Sequence, residues 1–112
     1  MRILYIDDHT PYRMVVQRRF LTGHEVVGAA TLAEARRLLA EGPFDCVLLD
    51  YSLPDGPGID LIDEIRANSP DCKIIAVSAN PDQNAEMVAA GAEGAIGKNE
   101  FSHLADRLAK FL

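Results

Sequence analysis

Val47-Leu48-Leu49 is an apolar run without polar interruption, entered from Cys46 and closed by an acid, Asp50. A strand with one wet face alternates polar and apolar residues. A short unbroken run bounded by turn chemistry instead fits a strand covered on both faces, as in a parallel sheet. The turn follows at Leu53-Pro54-Asp55-Gly56, where Pro fixes φ and removes a donor, and Asp and Gly accept turn geometry. Asp50 is therefore expected where a buried strand gives way to a loop. In open α/β sheets that carboxyl edge is where sites gather. Taken alone, the position suits a turn-capping acid equally well.

A second run, Ile3-Leu4-Tyr5-Ile6, stops at Asp7-Asp8. If the two strands are neighbours, three acids crowd one sheet edge. Like charges that close cost several kcal/mol unless a cation or protons compensate. Oxygen ligands of this kind suit a hard divalent cation, typically Mg2+.

The rest of the chain alternates in the same way. After the first strand (residues 2–6), Thr10-Pro11 reads as a helix start, a hydroxyl N-cap followed by proline. The helix runs over 12–21 with Met14, Val15, Phe20 and Leu21 available for burial. Residues 25–29 form a weaker second strand. Thr31 opens a helix to Gly42, with Glu34 completing a capping box. The third strand covers 45–49, and a helix over 58–68 follows. Lys73–Val77 is the fourth strand, ending at Ser78. Pro81 opens a fourth helix to Ala90, polar and alanine-rich, and so expected to be the least firmly packed. Residues 94–97 are a fifth strand ending at Lys98, and an amphipathic helix over 100–112 carries Phe101, Leu104, Leu108 and Phe111. Five strands alternating with five helices imply right-handed βαβ crossovers and a parallel sheet covered on both faces.

Composition narrows the function. The 112 residues suit one domain, 1–112, and carry a net charge of -6 with the basic residues scattered. Direct nucleic-acid binding is therefore not expected. No apolar run approaches the roughly 20 residues of a membrane span, and the start is too soon acidic for a signal peptide. Cys46 and Cys72 lack metal-ligand spacing and read as small apolar residues of a reducing cytosol.

Four of the five strand ends carry chemistry: Asp7 and Asp8 on the first, Asp50 on the third, Ser78 on the fourth and Lys98 on the fifth. A serine after a strand is commonly a turn former and a lysine commonly solvated; their coincidence at one edge is what demands a site. The chain resembles, over essentially its whole length, the receiver domain of bacterial two-component response regulators. The matching pieces are Asp7-Asp8, Asp50 with Leu53-Pro54 and Gly56, Val77-Ser78-Ala79, and Lys98. The resemblance implies a flavodoxin-like (βα)5 three-layer sandwich with a parallel five-stranded sheet in order 2-1-3-4-5. It implies acceptance of a phosphoryl group from a phosphohistidine of a sensor histidine kinase or histidine phosphotransfer protein. Asp50 would be the phosphoacceptor. Asp7, Asp8, Asp50 and the backbone carbonyl of Ser52 would hold Mg2+, with Asp8 the direct ligand of the acid pair. Ser78 and Lys98 would each engage a phosphoryl oxygen, with Ala79 leaving room for the group. Ser52 and Asn80 would flank it and set how fast water removes it. Such a domain catalyses its own phosphorylation and dephosphorylation rather than turning over a separate substrate, signals to an output domain or partner protein, and is cytoplasmic.

Two departures stand out. Asn99 follows Lys98 where the family has proline, and Ala95 stands where the family has Tyr or Phe three residues before the lysine. Without that ring, a conformational readout is expected through the fourth helix and its leading loop, 80–91. A receiver-like interaction module that signals without phosphate is the rival reading. An aspartate-nucleophile phosphatase would want an acid at Ser52, and a flavodoxin a glycine- and hydroxyl-rich loop in place of Asp7-Asp8-His9. A cobalamin domain would want glycine at Tyr12. His9, His24 and His103 are read as solvated loop residues.

Overall fold

The structure is a computed structural model that describes residues 1–110, the side chains of His103, Ala105 and Arg107 excepted. The expectations for Phe111, the end of the last helix and the His103 side chain lie outside the described residues. Five strands, β1 (Arg2–Ile6), β2 (Glu25–Ala29), β3 (Cys46–Asp50), β4 (Lys73–Ser78) and β5 (Gly94–Gly97), form one parallel sheet ordered β2-β1-β3-β4-β5. Helices α1 (Thr10–Phe20), α2 (Leu32–Glu41), α3 (Asp60–Asn68), α4 (Pro81–Ala89) and α5 (Leu104–Ala109) connect and flank them, α5 entered through a 3-10 turn at Phe101–His103. This is the parallel sheet covered on both faces that the alternation predicts, in the flavodoxin-like strand order that the resemblance implies.

Side chains of a strand alternate between faces, and here both faces are dry. Leu4, Ile6, Val47, Leu49, Ile74 and Ala76 pack with Leu61, Ile62 and Ile65 of α3, Leu32 of α2 and Met87 of α4. Ile3, Tyr5, Cys46, Leu48, Ile75 and Val77 pack with Val16 of α1 and Leu104 and Leu108 of α5. Residues 3–6 and 46–49 are wholly buried, which is why neither run carries a charged residue. Cys46 and Cys72 are free and buried.

Register then aligns the carboxyl ends. Ile6 pairs with Leu49, Asp50 with Val77, and Ser78 with Gly97. Asp7, Asp50, Ser78 and Lys98 thus leave adjacent strands within one residue of a common line.

Several local expectations are corrected. The N-cap of α1 is His9, not Thr10: its Nδ1 accepts from the Tyr12 amide at 3.1 Å. His9 is therefore a cap, although exposed. Met14 and Val15 face solvent, while Val16 and Leu21 are buried; a run of three apolar residues in a helix leaves its phase open. His24 is half-buried and meets the N-terminal amine. Thr31 does cap α2, its Oγ1 accepting from the Glu34 amide at 3.1 Å. A second cap comes from a distance: Asp55, at the turn between the short antiparallel pieces Ser52–Leu53 and Gly56–Pro57, accepts from the amides of Leu32 and Ala33 at 2.8 and 3.0 Å. These bonds hold the Asp55 carboxyl below its ordinary range. The loop after β3 is thereby tied to α2.

Helix α4 is not loosely held. Asn80 caps it, its Oδ1 accepting from the amides of Asp82 and Gln83. Inside it, Asn84 is buried, and its Nδ2 donates to the carbonyls of Ser78 at 3.0 Å and Ile96 at 3.4 Å. A polar sequence here conceals a polar anchor to the ends of β4 and β5. Replacing Asn84 by Leu removes both of its side-chain bonds, leaving the Ser78 carbonyl with the Lys98 amide at 3.3 Å and the Ile96 carbonyl without the Asn84 donor. In chemical denaturation this variant is expected to lose about 1–3 kcal/mol. Unchanged stability would show that the anchor contributes nothing.

Candidate functional site

The carboxyl edge of the sheet opens into a cleft of about 640 Å3 lined by Asp8, His9, Tyr12, Asp50, Ser52, Ser78, Ala79, Asn80, Gln83 and Lys98. Every residue expected at the site except Asp7 lines it, and Asp7 lies directly behind. Asp7, Asp8 and Asp50 each offer a carboxylate oxygen, and these atoms lie within 4.8 Å of one another. Asp7 and Asp50 are buried and Asp8 is exposed.

Each acid is held differently. The Asp7 amide donates to Ala29 of β2, and Asp7 Oδ1 accepts from the His9 amide at 2.9 Å. Asp7 Oδ2 is buried, and its one ion-pair partner among the described residues is Lys98 Nζ at 3.2 Å. Lys98 Nζ is also 3.3 Å from Asp50 Oδ2. One ammonium therefore stands between two buried carboxylates. Burial opposes the Lys98 charge, but Asp50 and Asp7 more than offset that and hold the group above its ordinary value. Asp50 moves to about 6 because burial, and then the nearby Asp7, disfavour its charge more than Lys98 favours it. Three carboxylates whose oxygens lie within 4.8 Å of one another, with one ammonium among them, suit a hard cation on oxygen ligands.

Ser78 is buried at the end of β4, and its hydroxyl donates to Gln83 Oε1 at 2.6 Å while accepting from the Asn80 amide at 3.1 Å. Ala79 beside it is exposed, so the cleft is open above the serine. Ala95 is half-buried and packs, like Tyr51, on the core layer that faces α4. The Tyr51 hydroxyl donates to Glu86 of α4 at 2.7 Å. The residue after Asp50 thus places an aromatic ring on that layer, tied to α4.

Three supporting residues were not legible beforehand. Tyr12 donates its hydroxyl to the Lys98 carbonyl at 2.5 Å, with Lys98 Nζ 5.5 Å from its ring centre. This contact fixes the loop that proline does not. Gln83 gives no sequence signal at all. Gly58 gives a faint one, a glycine soon after a buried strand, and such glycines often mark close backbone approach. Its amide donates to Tyr51, and a Cβ there would lie 1.9 Å from the Asp50 carbonyl oxygen. The backbone beneath Asp50 can be this tight only with glycine.

Comparison with known proteins gives a consistent answer. The family model for the response regulator receiver domain matches residues 3–109. Chemotaxis protein CheY of Thermotoga maritima is 38% identical over 101 residues, covering 87% of this chain and 84% of that protein. Transcriptional regulatory protein KdpE of Mycobacterium tuberculosis is 38% identical over 102 residues, 86% of this chain but 43% of that protein. The uncharacterized transcriptional regulatory protein YhcZ of Bacillus subtilis is 40% identical over 86 residues, 74% of this chain but 40% of that protein. The chain thus spans less than half the length of several curated relatives. Among solved structures, response regulator TrrA of Thermotoga maritima, in complex with Mg2+ and BeF, superposes with a TM-score of 0.89 at 28% identity, covering 99% and 98% of the two chains.

The Asp50 shift carries a stability consequence. The folded carboxyl binds its proton more tightly than the unfolded one, whose ordinary value is 3.8. Stability from this group is complete below that value and is lost as pH rises through about 6. In metal-free buffer, Asp50→Asn is therefore expected to raise stability at pH 7.5 by roughly 2 kcal/mol. The gain should vanish near pH 4. Paired melts across this range check it; equal melting temperatures at pH 7.5 would contradict the buried-charge account.

Proposed function

The chain belongs to the response regulator receiver domain family, and from that membership we propose that it accepts a phosphoryl group on Asp50 from a phosphohistidine of a sensor histidine kinase or histidine phosphotransfer protein. The observation that carries this reading is the buried pair of Asp7 and Asp50 bridged by Lys98 at 3.2 and 3.3 Å. A purely structural edge would have no reason to bury two acids beneath a half-exposed lysine at a cleft.

In the transfer, the P–N bond to the donor imidazole breaks and a P–O bond to an Asp50 carboxylate oxygen forms. The departing imidazole nitrogen keeps the bonding electron pair. Asp50 must be ionised to attack, and a carboxyl titrating near 6 is largely ionised at neutral pH. Phosphoryl transfer spreads charge over the equatorial oxygens, so the protein contributes mainly position and electrostatics. Lys98 pairs with one of those oxygens as a compact point charge, and the Ser78 hydroxyl donates to another. Ala79, small and exposed, leaves the space. Asp7, Asp8, Asp50 and the Ser52 carbonyl would hold Mg2+, which when bound would supply the positive charge that lets an anionic carboxylate meet an anionic donor. Ser52 and Asn80 border the cleft and govern water's access to the aspartyl phosphate.

The signal is passed to an output domain or a separate partner protein. The longer transcriptional regulators among the relatives support an attached output. Among the described residues no helix is long and apolar enough to cross a membrane, in keeping with a cytoplasmic place, and the net charge of -6 argues against direct nucleic-acid contact by this domain. With Ala95 in place of a ring, the change at Ser78 is read through Asn80 and α4.

Incubation with acetyl phosphate and Mg2+, followed by intact-mass measurement, tests the assignment. Wild type is expected to gain one phosphate, and Asp50→Asn none. Omitting Mg2+ should slow the gain by at least tenfold, as should Asp8→Ala. Equal phosphorylation of Asp50→Asn and wild type would place the acceptor elsewhere. A wild-type chain that never gains phosphate would favour an interaction module that signals without it.

A further inference from the structure

We propose that Gln83 of α4 restrains phosphoryl acceptance by holding the Ser78 hydroxyl, and that releasing this bond is how α4 senses the phosphoryl group. The inference rests on the reading of Asp50 as phosphoacceptor.

A serine hydroxyl has one proton to donate. Here that proton goes to Gln83 Oε1 at 2.6 Å, while Ser78 Oγ itself accepts from the Asn80 backbone amide at 3.1 Å. A phosphoryl oxygen is acceptor-only, so it can bind Ser78 only by taking the proton from Gln83. The two states are exclusive. In the resting state the serine is tied to α4; in the phosphorylated state it is tied to Asp50 through the phosphoryl group. The alternative is for the Gln83 amide to turn and present its NH2 to the serine oxygen, which also abolishes the observed bond. Either way, the contact between β4 and α4 changes on phosphorylation.

The surroundings make this contact consequential. Gln83 lies one residue before Asn84, whose Nδ2 holds the Ser78 and Ile96 carbonyls. It lies three residues after Asn80, the N-cap whose Oδ1 receives the Gln83 amide. Loss of the side-chain bond therefore acts on the first turn of α4 while the Asn84 anchor holds the next position. A hinge at the helix start is the expected result. Such a bond also opposes the phosphorylated state, because its free energy must be given up when that state forms. A ligand shifts an equilibrium only by its differential interaction with the two states.

The test uses the whole chain and beryllofluoride with Mg2+ as the phosphoryl mimic. Gln83→Leu lacks the acceptor and keeps the bulk; Gln83→Glu offers a stronger one. A hydrogen bond of this kind contributes about 0.5–1.5 kcal/mol, or roughly 2- to 12-fold in affinity. Gln83→Leu is expected to bind the mimic about fivefold more tightly than wild type, and Gln83→Glu at least fivefold more weakly. In a Ser78→Ala background, Gln83→Leu should alter affinity by less than about twofold, a result that a merely structural glutamine would not give. Unchanged affinity in Gln83→Leu, or an equal gain with and without Ser78, overturns the proposal. Without mimic or metal, the Gln83 side-chain amide resonances should shift in Ser78→Ala, and their failure to shift overturns it as well. If those resonances shift but wild type binds no beryllofluoride, the phosphoacceptor reading of Asp50 fails, and the control proposed for Gln83 falls with it, while the resting bond stands.

Discussion

Lys98 Nζ sits 3.2 Å from one buried carboxylate and 3.3 Å from another, and the geometry of the whole sheet edge follows from that placement. Two anions confined within a few ångströms repel by several kcal/mol in a partly dry setting. Lys98 relieves part of this, yet burial first, and then the charge of Asp7, still push Asp50 up to about 6. The edge is therefore incompletely neutralised. It is built around a deficit of positive charge, which a metal ion and a reacting phosphoryl group together would use.

The strand order makes the contact possible. β1 and β3 are neighbours at the centre of the sheet, so Asp7 and Asp50 meet side by side. β5 lies two strands from β3, about 10 Å at ordinary strand spacing. A long, flexible lysine stem spans that distance only if the intervening end of β4 is low. Ser78 and Ala79 are short, and they lie under the path. Tyr12 then holds the Lys98 backbone from α1, and Gly58 lets the backbone pass under Asp50. The cleft is thus a product of register, side-chain length and two close backbone contacts. On its α4 side, Ser78, Asn80, Gln83 and Asn84 form a polar chain from strand end to helix.

The sheet was legible because each strand is a closed apolar run, and burial on both faces leaves no other reading of Ile3–Ile6 or Val47–Leu49. The gathering of Asp7, Asp8, Asp50, Ser78 and Lys98 was legible because each ends such a run. Single-sequence patterns carry no information about bonds between side chains remote in sequence. Asp55 on the amides of α2, Tyr12 on Lys98, and Asn84 on Ser78 and Ile96 were hidden for that reason. The phase of α1 was misjudged because Met14, Val15 and Val16 are consecutive and only packing selects among them. Helix α4 looked loose because its anchor is an asparagine, which reads as surface in a sequence and is buried in the fold.

A crystal structure of the chain grown with Mg2+ and beryllofluoride tests most directly whether this edge is one phosphoryl-accepting unit. The account predicts beryllofluoride on an Asp50 carboxylate oxygen, Mg2+ among Asp7, Asp8 and Asp50, Lys98 Nζ withdrawn from Asp50 to a fluorine, and the Ser78 hydroxyl turned from Gln83 to another. An Asp50 left bare at saturating mimic, with Lys98 still bridging it to Asp7, would contradict it.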